Sequence, residues 1–206
     1  MRTLAIDSAT EACSVALFDS TTCIAGDYRL LGRGHAEHLV TMIAGLPGRG
    51  RAERIVVALG PGSFTGVRVG LAAARALALA WGAQLAGYPS LALVAAMARA
   101  ARGEQGLAVV MTGGHGEWFV QRFDAAGAAR GEVASLRPDA AAAAIADELV
   151  AGNQAQALVA LRGHGEALQL LPDARALASL AETALTSAIR PIYGRPPDAR
   201  LPGQVR

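Results

Sequence analysis

The chain has 206 residues, 52% of them hydrophobic, and a formal net charge of +2. That length suits one domain or two small lobes, and the apolar share excludes a disordered chain. The near-balanced charge argues against nucleic-acid binding by a strongly basic surface. All 19 basic residues are arginine, which excludes a P-loop lysine, a Schiff-base lysine and a lysine general base.

In chain order, the opening MRTLAIDSAT carries Asp7 and no extended apolar run, so it does not read as a signal peptide. Leu4–Ile6 starts a short strand, and residues 13–18 and 22–29 follow as β-type runs, together an antiparallel meander. Gly34 precedes a helix with His35, His38, Leu39, Met42 and Ile43 at helical spacing, closed by the loop 45–50. Residues 55–59 form a continuous apolar strand of the kind buried on both faces. A glycine-rich turn, a helix to about Trp81, a strand over 84–87 and a helix from Pro89 to about Arg102 complete the first half. The uncharged run 76–98 contains Gly82, Gln84, Gly87 and Pro89, and so reads as helix, strand and helix, not as a membrane span. Cys13 and Cys23 make no disulfide framework, and the expectation is a cytoplasmic protein.

From about Gly103 a second half repeats the strand-then-helix theme in smaller form. Residues 107–111 and 118–124 read as a strand pair, 138–150 as a helix opened by proline, 157–161 as a strand and 174–189 as a helix. The tail from Ile189, with four prolines and four arginines, reads as extended or mobile. Strands and helices alternating in this way define an α/β architecture with helices packed on a mixed sheet.

The stretch GPGSFTGVRVG, 60–70, carries the most information. A P-loop needs lysine, and none exists. A dinucleotide turn needs an acid about 20 residues on, yet no Asp or Glu occurs between Arg54 and Gly103. A nucleophile elbow needs glycine where Pro61 stands. What remains is a tight turn at a helix N-terminus. Ser63 or Thr65 can cap the helix, the glycines admit either a phosphate or another backbone, and Arg68 lies one turn in. Gly66, Gly70 and Ala74, four apart, form a smooth face beside a stripe of Val67, Leu71, Ala78 and Trp81. Such a helix is either core or part of an oligomer interface.

Three segments, MRTLAIDSATEACSVALFD, HAEHLVTMI and VALGPGSFTGVRVGLAAARALA, closely resemble the TsaB (YeaZ) family of bacterial tRNA threonylcarbamoyladenosine biosynthesis. The likeness is strong over residues 1–100 and weak beyond. It implies the two-lobed fold of the actin/Hsp70/sugar-kinase superfamily, with a full first lobe over 1–103 and a reduced second lobe over 104–206. The last residues would either pack back on the first lobe or be mobile. It implies a non-catalytic paralogue that pairs with the catalytic subunit TsaD and works with the ATPase TsaE. Together they place threonylcarbamoyl on N6 of tRNA adenosine 37. The helices near 34–46 and 64–81 would form the partner contact through His35, His38, Leu39, Met42, Gly66, Val67, Gly70, Leu71, Ala74 and Arg75. The same surface would support homodimers in isolation. Asp7, Ser8, Thr10, Gly60, Gly62, Ser63, Thr65 and Arg68 would line loops at a nucleotide junction. The chain would require no cofactor of its own, ATP or ADP binding at a composite site with partners, and would meet tRNA only through the complex.

The sequence departs from the family pattern in two turns. The first usually reads Asp-Thr-Ser-Thr, and here it is Asp7-Ser8-Ala9-Thr10. Where relatives carry Asp-Ala-Arg before a Gly-Glu pair, this chain has Thr112-Gly113-Gly114-His115 before Gly116-Glu117. In superfamily members that use ATP, cleft carboxylates organise Mg²⁺ and the attacking group; Asp7 alone remains here. His35 and His38, three apart, have no further ligand to complete a metal site, and neither H-E-x-x-H nor a Ser/His/Asp constellation supports a peptidase. The alternative to a scaffold is a self-sufficient phosphotransferase or ATPase using Asp7 and the 60–66 loop. Arg190, Arg195, Arg200 and Arg206 of the tail read as solvated.

Overall fold

The structure, a computed structural model, describes residues 1–194; Arg195, Arg200 and Arg206 lie outside the described residues. The first sheet grows from an antiparallel meander, β1 (Arg2–Asp7), β2 (Ala12–Asp19) and β3 (Thr22–Leu30). Beside β1 lie two parallel strands, β4 (Arg54–Ala58) and β5 (Gln84–Tyr88), giving the order β3-β2-β1-β4-β5. Helices α1 (His35–Ala44) and α2 (Phe64–Trp81) make the crossovers. The continuous apolar run of β4 is buried from Ile55 to Ala58, as a central parallel strand requires.

Helix α3 (Ser90–Arg102) leads to a second sheet with the same plan. β6 (Leu107–Thr112), β7 (Trp118–Phe123) and β8 (Ala129–Leu136) form an antiparallel meander. Helix α4 (Pro138–Ala144), parallel strand β9 (Leu149–Ala151), helix α5 (Ala155–Arg162) and strand β10 (Glu166–Leu168) follow, in the order β10-β9-β6-β7-β8. Element for element, the second sheet repeats the first.

Three expectations for this half fail. Residues 138–150 do not form one helix: α4 stops at Ala144, and Leu149–Ala151 pairs with β6. Burial beside β6 prevails there over the helical preference of an alanine-rich segment. Residues 157–161 are helix, not strand, within α5, which Gly163 ends in a left-handed cap. Strand β8 escaped notice because its first four residues are exposed and none of its eight is fully buried.

Residues 174–189 form no α-helix either. They make short 3₁₀ turns at Ala174–Ser179 and Glu182–Ala184 within a strap that returns to the first sheet. Its backbone groups bond there instead of to one another. The Ala174 amide donates to Ser14 Oγ at 2.9 Å. Thr186 exchanges both backbone bonds with Gly87, and the Ile192 amide donates to the Leu59 carbonyl at 2.8 Å. Arg75 holds the Ile189 carbonyl at 2.6 Å, and Arg54 pairs with Glu182. The tail is thus tied down as far as Gly194.

The main core lies between the first sheet and its helices, where Leu4, Ile6, Ile55 and Val57 meet Leu39, Met42, Val67 and Leu71. On the other face, Ala5, Ala16 and Phe18 pack against Ala174 of the strap. This settles the two readings of α2. Gly66, Val67, Gly70, Leu71 and Ala74 are its buried residues. A Cβ on Gly66 would lie 2.1 Å from the Ser8 carbonyl oxygen, and one on Gly70 would lie 2.5 Å from Ser8 Oγ. The small-residue face is therefore core, and these residues are withdrawn from the partner contact. Leu39 and Met42, each 1% exposed, and buried His35 are withdrawn with them; of the expected contact residues only His38 and Arg75 reach the surface. Gly66→Ala should cost about 3 kcal/mol, the upper part of the overpacking range, because the opposing atom is backbone and cannot swing away. Urea denaturation checks this, and a loss below about 0.5 kcal/mol, the scale of a neutral surface change, would contradict the inward placement.

Candidate functional site

Three turns meet at the carboxyl ends of the central strands: residues 7–11 after β1, the glycine loop 59–63 after β4, and residues 112–117 after β6. The loop is held by backbone bonds. The Ser63 amide donates to the Ala9 carbonyl at 2.7 Å and the Ser90 amide to the Gly60 carbonyl at 2.8 Å; the Gly60–Pro61 peptide is cis. A Cβ on Gly62 would sit 2.0 Å from the Ala9 oxygen. Ser63 caps α2, its Oγ accepting from the Gly66 amide at 3.2 Å. The glycines thus serve close approach of another backbone, the first turn of the chain.

The expected junction residues separate accordingly. Thr10, Gly62 and Ser63 line a cavity of about 180 Å³ between the two sheets, together with Glu11, Thr112 and Asn153. Asp7 and Ser8 line neither this cavity nor its neighbour. Ser8 Oγ donates to the Gly66 carbonyl at 2.9 Å. Gly60 is buried with φ of 88°, packed under the Ile192 carbonyl. Thr65 is exposed. Arg68 is exposed at a second, more apolar cavity of about 500 Å³, lined also by Phe64, Gly114, His115, Phe119 and Tyr193. Its guanidinium lies 3.6 Å above the Phe64 ring and donates to the Tyr193 hydroxyl at 3.0 Å. His35 clasps the first turn from α1, with Nε2 2.8 Å from the Thr10 carbonyl, and so acts as its donor.

Asp7, the acid most open to a catalytic reading, is 1% exposed and turned away from the cleft. Its carboxylate accepts from the Ala9 amide at 3.0 Å and from the Tyr88 hydroxyl at 2.8 Å. Burial outweighs these two bonds and raises its pKa from 3.8 to about 6. Burial, then the adjoining Asp7 charge, pushes the Tyr88 phenol well above its ordinary value, so Tyr88 remains the donor. Among the described residues no group of three or more His, Cys, Asp or Glu could hold a metal ion.

Sequence inspection missed the residues that close the cleft. Asn153 Nδ2 donates to Glu11 Oε1 at 2.8 Å, while Asn153 Oδ1 accepts from the Thr112 amide at 2.8 Å. Gln154 Nε2 adds a bond to Thr112 Oγ1 at 2.8 Å. These bonds staple the first turn of one sheet to the β9–α5 turn and β6 of the other. No local motif announces a pair 142 positions apart; only the duplicated topology brings them together.

Two copies of one sheet plan, facing across a cleft bounded by the first turn of each, define the actin/Hsp70/sugar-kinase class of two-lobed proteins. The ethanolamine utilization protein EutJ of Carboxydothermus hydrogenoformans shares this fold at a TM-score of 0.50 and 10% identity. Two Pseudomonas aeruginosa structures are much nearer. One is an uncharacterized protein with similarity to peptidase YeaZ, with 30% identity over 94% of this chain and 99% of that one, and a TM-score of 0.78. The other is YeaZ, with 28% identity over 93% and 99% of the respective chains and a TM-score of 0.75. Residues 30–187 match the family described as TsaD, tRNA N6-adenosine threonylcarbamoyltransferase. The tRNA threonylcarbamoyladenosine biosynthesis protein TsaB of Escherichia coli is 46% identical over 90 residues, 41% of this chain and 38% of that protein. That of Haemophilus influenzae is 42% identical over 106 residues, 48% and 42% of the respective chains. The matched stretches thus span about two fifths of these curated relatives. The chain belongs to the TsaB (YeaZ) family.

The Asp7 environment gives a signed pH dependence. With the folded pKa raised above 3.8, ionisation penalises the folded state, so this group's penalty is absent below pH 3.8, grows through pH 6 and is constant above. A rise of about two pH units corresponds to ~3 kcal/mol. Asp7→Asn, which can still accept from Ala9, should gain stability over the native chain progressively from pH 4 to pH 7. Urea midpoints across that range measure the difference; a difference that stays flat contradicts the assignment.

Proposed function

We propose that the chain is a non-catalytic scaffold and activator subunit of the machinery that places threonylcarbamoyl on tRNA adenosine. In this reading it pairs with a TsaD-type catalytic subunit in the cytoplasm, assisted by a TsaE-type ATPase. The observation that carries it is the outer face of α2. This 18-residue helix is long and apolar enough by composition to cross a membrane, yet its buried face is on the sheet, and its outer face exposes Ala72, Ala76, Leu79 and Ala80 beside Arg68 and Arg75. Leu79 is 88% exposed and Val40, on the adjoining α1, is 63% exposed. Ala36, Ala72 and Ala76 are exposed between and beside them. Small residues with isolated large apolar ones give a flat surface on which a partner's helices can pack closely.

The cleft supports the same assignment. Asp7 is engaged with Tyr88, the 60–63 loop is filled by the backbone of the first turn, and the Glu11–Asn153 staple spans the gap. A self-sufficient ATPase would need that acid facing its Mg²⁺-nucleotide. Any adenine nucleotide would sit at a composite junction with the partner subunits, touching Thr10, Gly62 and Ser63 from outside.

Two measurements test the proposal. Reconstituted tRNA modification by the partner subunits should fall to background when this chain is omitted; full activity without it would refute the role. Leu79→Arg combined with Val40→Glu should weaken partner binding in calorimetry by at least about 30-fold, the scale of an interface hot spot, with an unchanged circular dichroism spectrum. Unaltered affinity would place the contact elsewhere.

A further inference from the structure

The edge of the first sheet opposite the cleft carries a cavity that the assembly role leaves unused. Asp7 ends β1 at the cleft; Arg2 begins it, about 17 Å away at ~3.3 Å per residue. There, below the C-terminal ends of α1 and α2, lies a cavity of about 500 Å³ lined by Arg2, Gly48, Arg51, Glu53, Trp81 and Gly82. Its acid, Glu53, is engaged with the backbone amide of Arg2. Arg2, Arg49 and Arg51 are all exposed, and among the described residues none of their guanidinium groups has a hydrogen-bond or ion-pair partner. Several other arginines hold carboxylates or carbonyls, among them Arg54, Arg75, Arg102, Arg122 and Arg175, whereas Arg33, Arg130 and Arg137 are, like these three, without such a partner among the described residues.

The loop itself presents this charge outward. Gly48, Arg49 and Gly50 take successive φ values of 61°, 56° and 70°, and arginine seldom adopts that left-handed conformation. Arg49, exposed in this run between α1 and β4, adjoins the cavity-lining Gly48. Trp81, half-buried against the main core, also lines this concavity.

We infer that Arg2, Arg49, Arg51 and Trp81 form a contact site for single-stranded RNA, the arginines meeting successive phosphates and the indole stacking on an unpaired base. Arginines beside an aromatic platform are the chemistry of such a site, charge supplying affinity and the ring accepting any base. This rests on the proposed role. The site lies where α1 and α2, the two helices of the proposed partner face, end, and so at the rim of that face.

The test uses the full chain and a labelled tRNA anticodon stem-loop, with fluorescence anisotropy over a range of salt concentrations. The triple variant Arg2→Gln, Arg49→Gln, Arg51→Gln should lower the slope of log affinity against log salt by about 2, since each single-strand phosphate contact contributes ~0.7. Trp81→Leu should weaken binding by about 5- to 150-fold with the slope unchanged, while Trp81→Phe, which keeps a stacking ring, retains most of the affinity. Arg130→Gln with Arg137→Gln, on the second sheet, is the control. Equal losses in the control, or binding of the native chain to anionic phospholipid vesicles and not to RNA, overturn the site. In the reconstituted reaction the triple variant should still bind the partner but raise the tRNA concentration needed for half-maximal rate. Native tRNA dependence would refute the site and leave the scaffold role standing, whereas modification independent of the chain altogether would refute the role instead.

Discussion

The contact on which the molecule depends is the meeting of two backbones, the first turn at Ser8–Ala9 and the glycine loop with the start of α2. Nothing larger than hydrogen fits at Gly62 or Gly66. The Ser63 amide bonds to Ala9 while Ser8 Oγ bonds to the Gly66 carbonyl. That double tie fixes the angle at which α2 leaves the sheet, seats Gly70 and Ala74 over Ile6 and Val57, and so decides which side of the helix faces out. The outward side of α2 and the cleft geometry are two results of one close approach.

The same contact occupies the inner side of the glycine loop. In a nucleotide site the glycines and amides of such a turn are held open for an anion. Here a neighbouring turn takes the Ser63 amide, and Ala9, fully buried, stands where a hydroxyl would lack solvent. Asp7 is likewise buried, and the Tyr88 hydroxyl donates to it there. The superfamily's fold is kept, with Asp7 and the glycine loop engaged in internal bonds.

How much of this the sequence disclosed depends on the range of the forces involved. The first half was legible because local signals agreed with tertiary demand. β4 reads as a buried strand and is one; α2 begins at a serine cap and ends at Gly82 in a left-handed cap. The family motif lay in the same stretch. The second half failed where context overrode propensity, as at Leu149–Ala151, drawn into the slot beside β6, and at residues 174–189, whose backbone groups bond to the first sheet. The row of α2 expected at a partner contact is buried instead, since an alanine-rich helix has small residues all round and periodicity cannot say which row faces in. Glu11 and Asn153 carried no signal, for each is unremarkable until a duplicated topology places them opposite one another.

The strap has a bearing on how such a chain is made. Its Ala174 bonds to Ser14, 160 positions earlier, its Thr186 extends an edge strand at Gly87, and its Ile192 bonds to Leu59. The first sheet therefore receives its last partners from the last residues described. A ribosome releasing the chain from its N-terminus delivers the meander and its helices long before the piece that covers their far side. Until then Phe18 and its neighbours lie bare, and contacts of such long sequence separation form slowly. Completion of the first lobe thus waits on residues 174–192: a chain cut short before residue 174 retains the outer face of α2 but lacks the cover behind it.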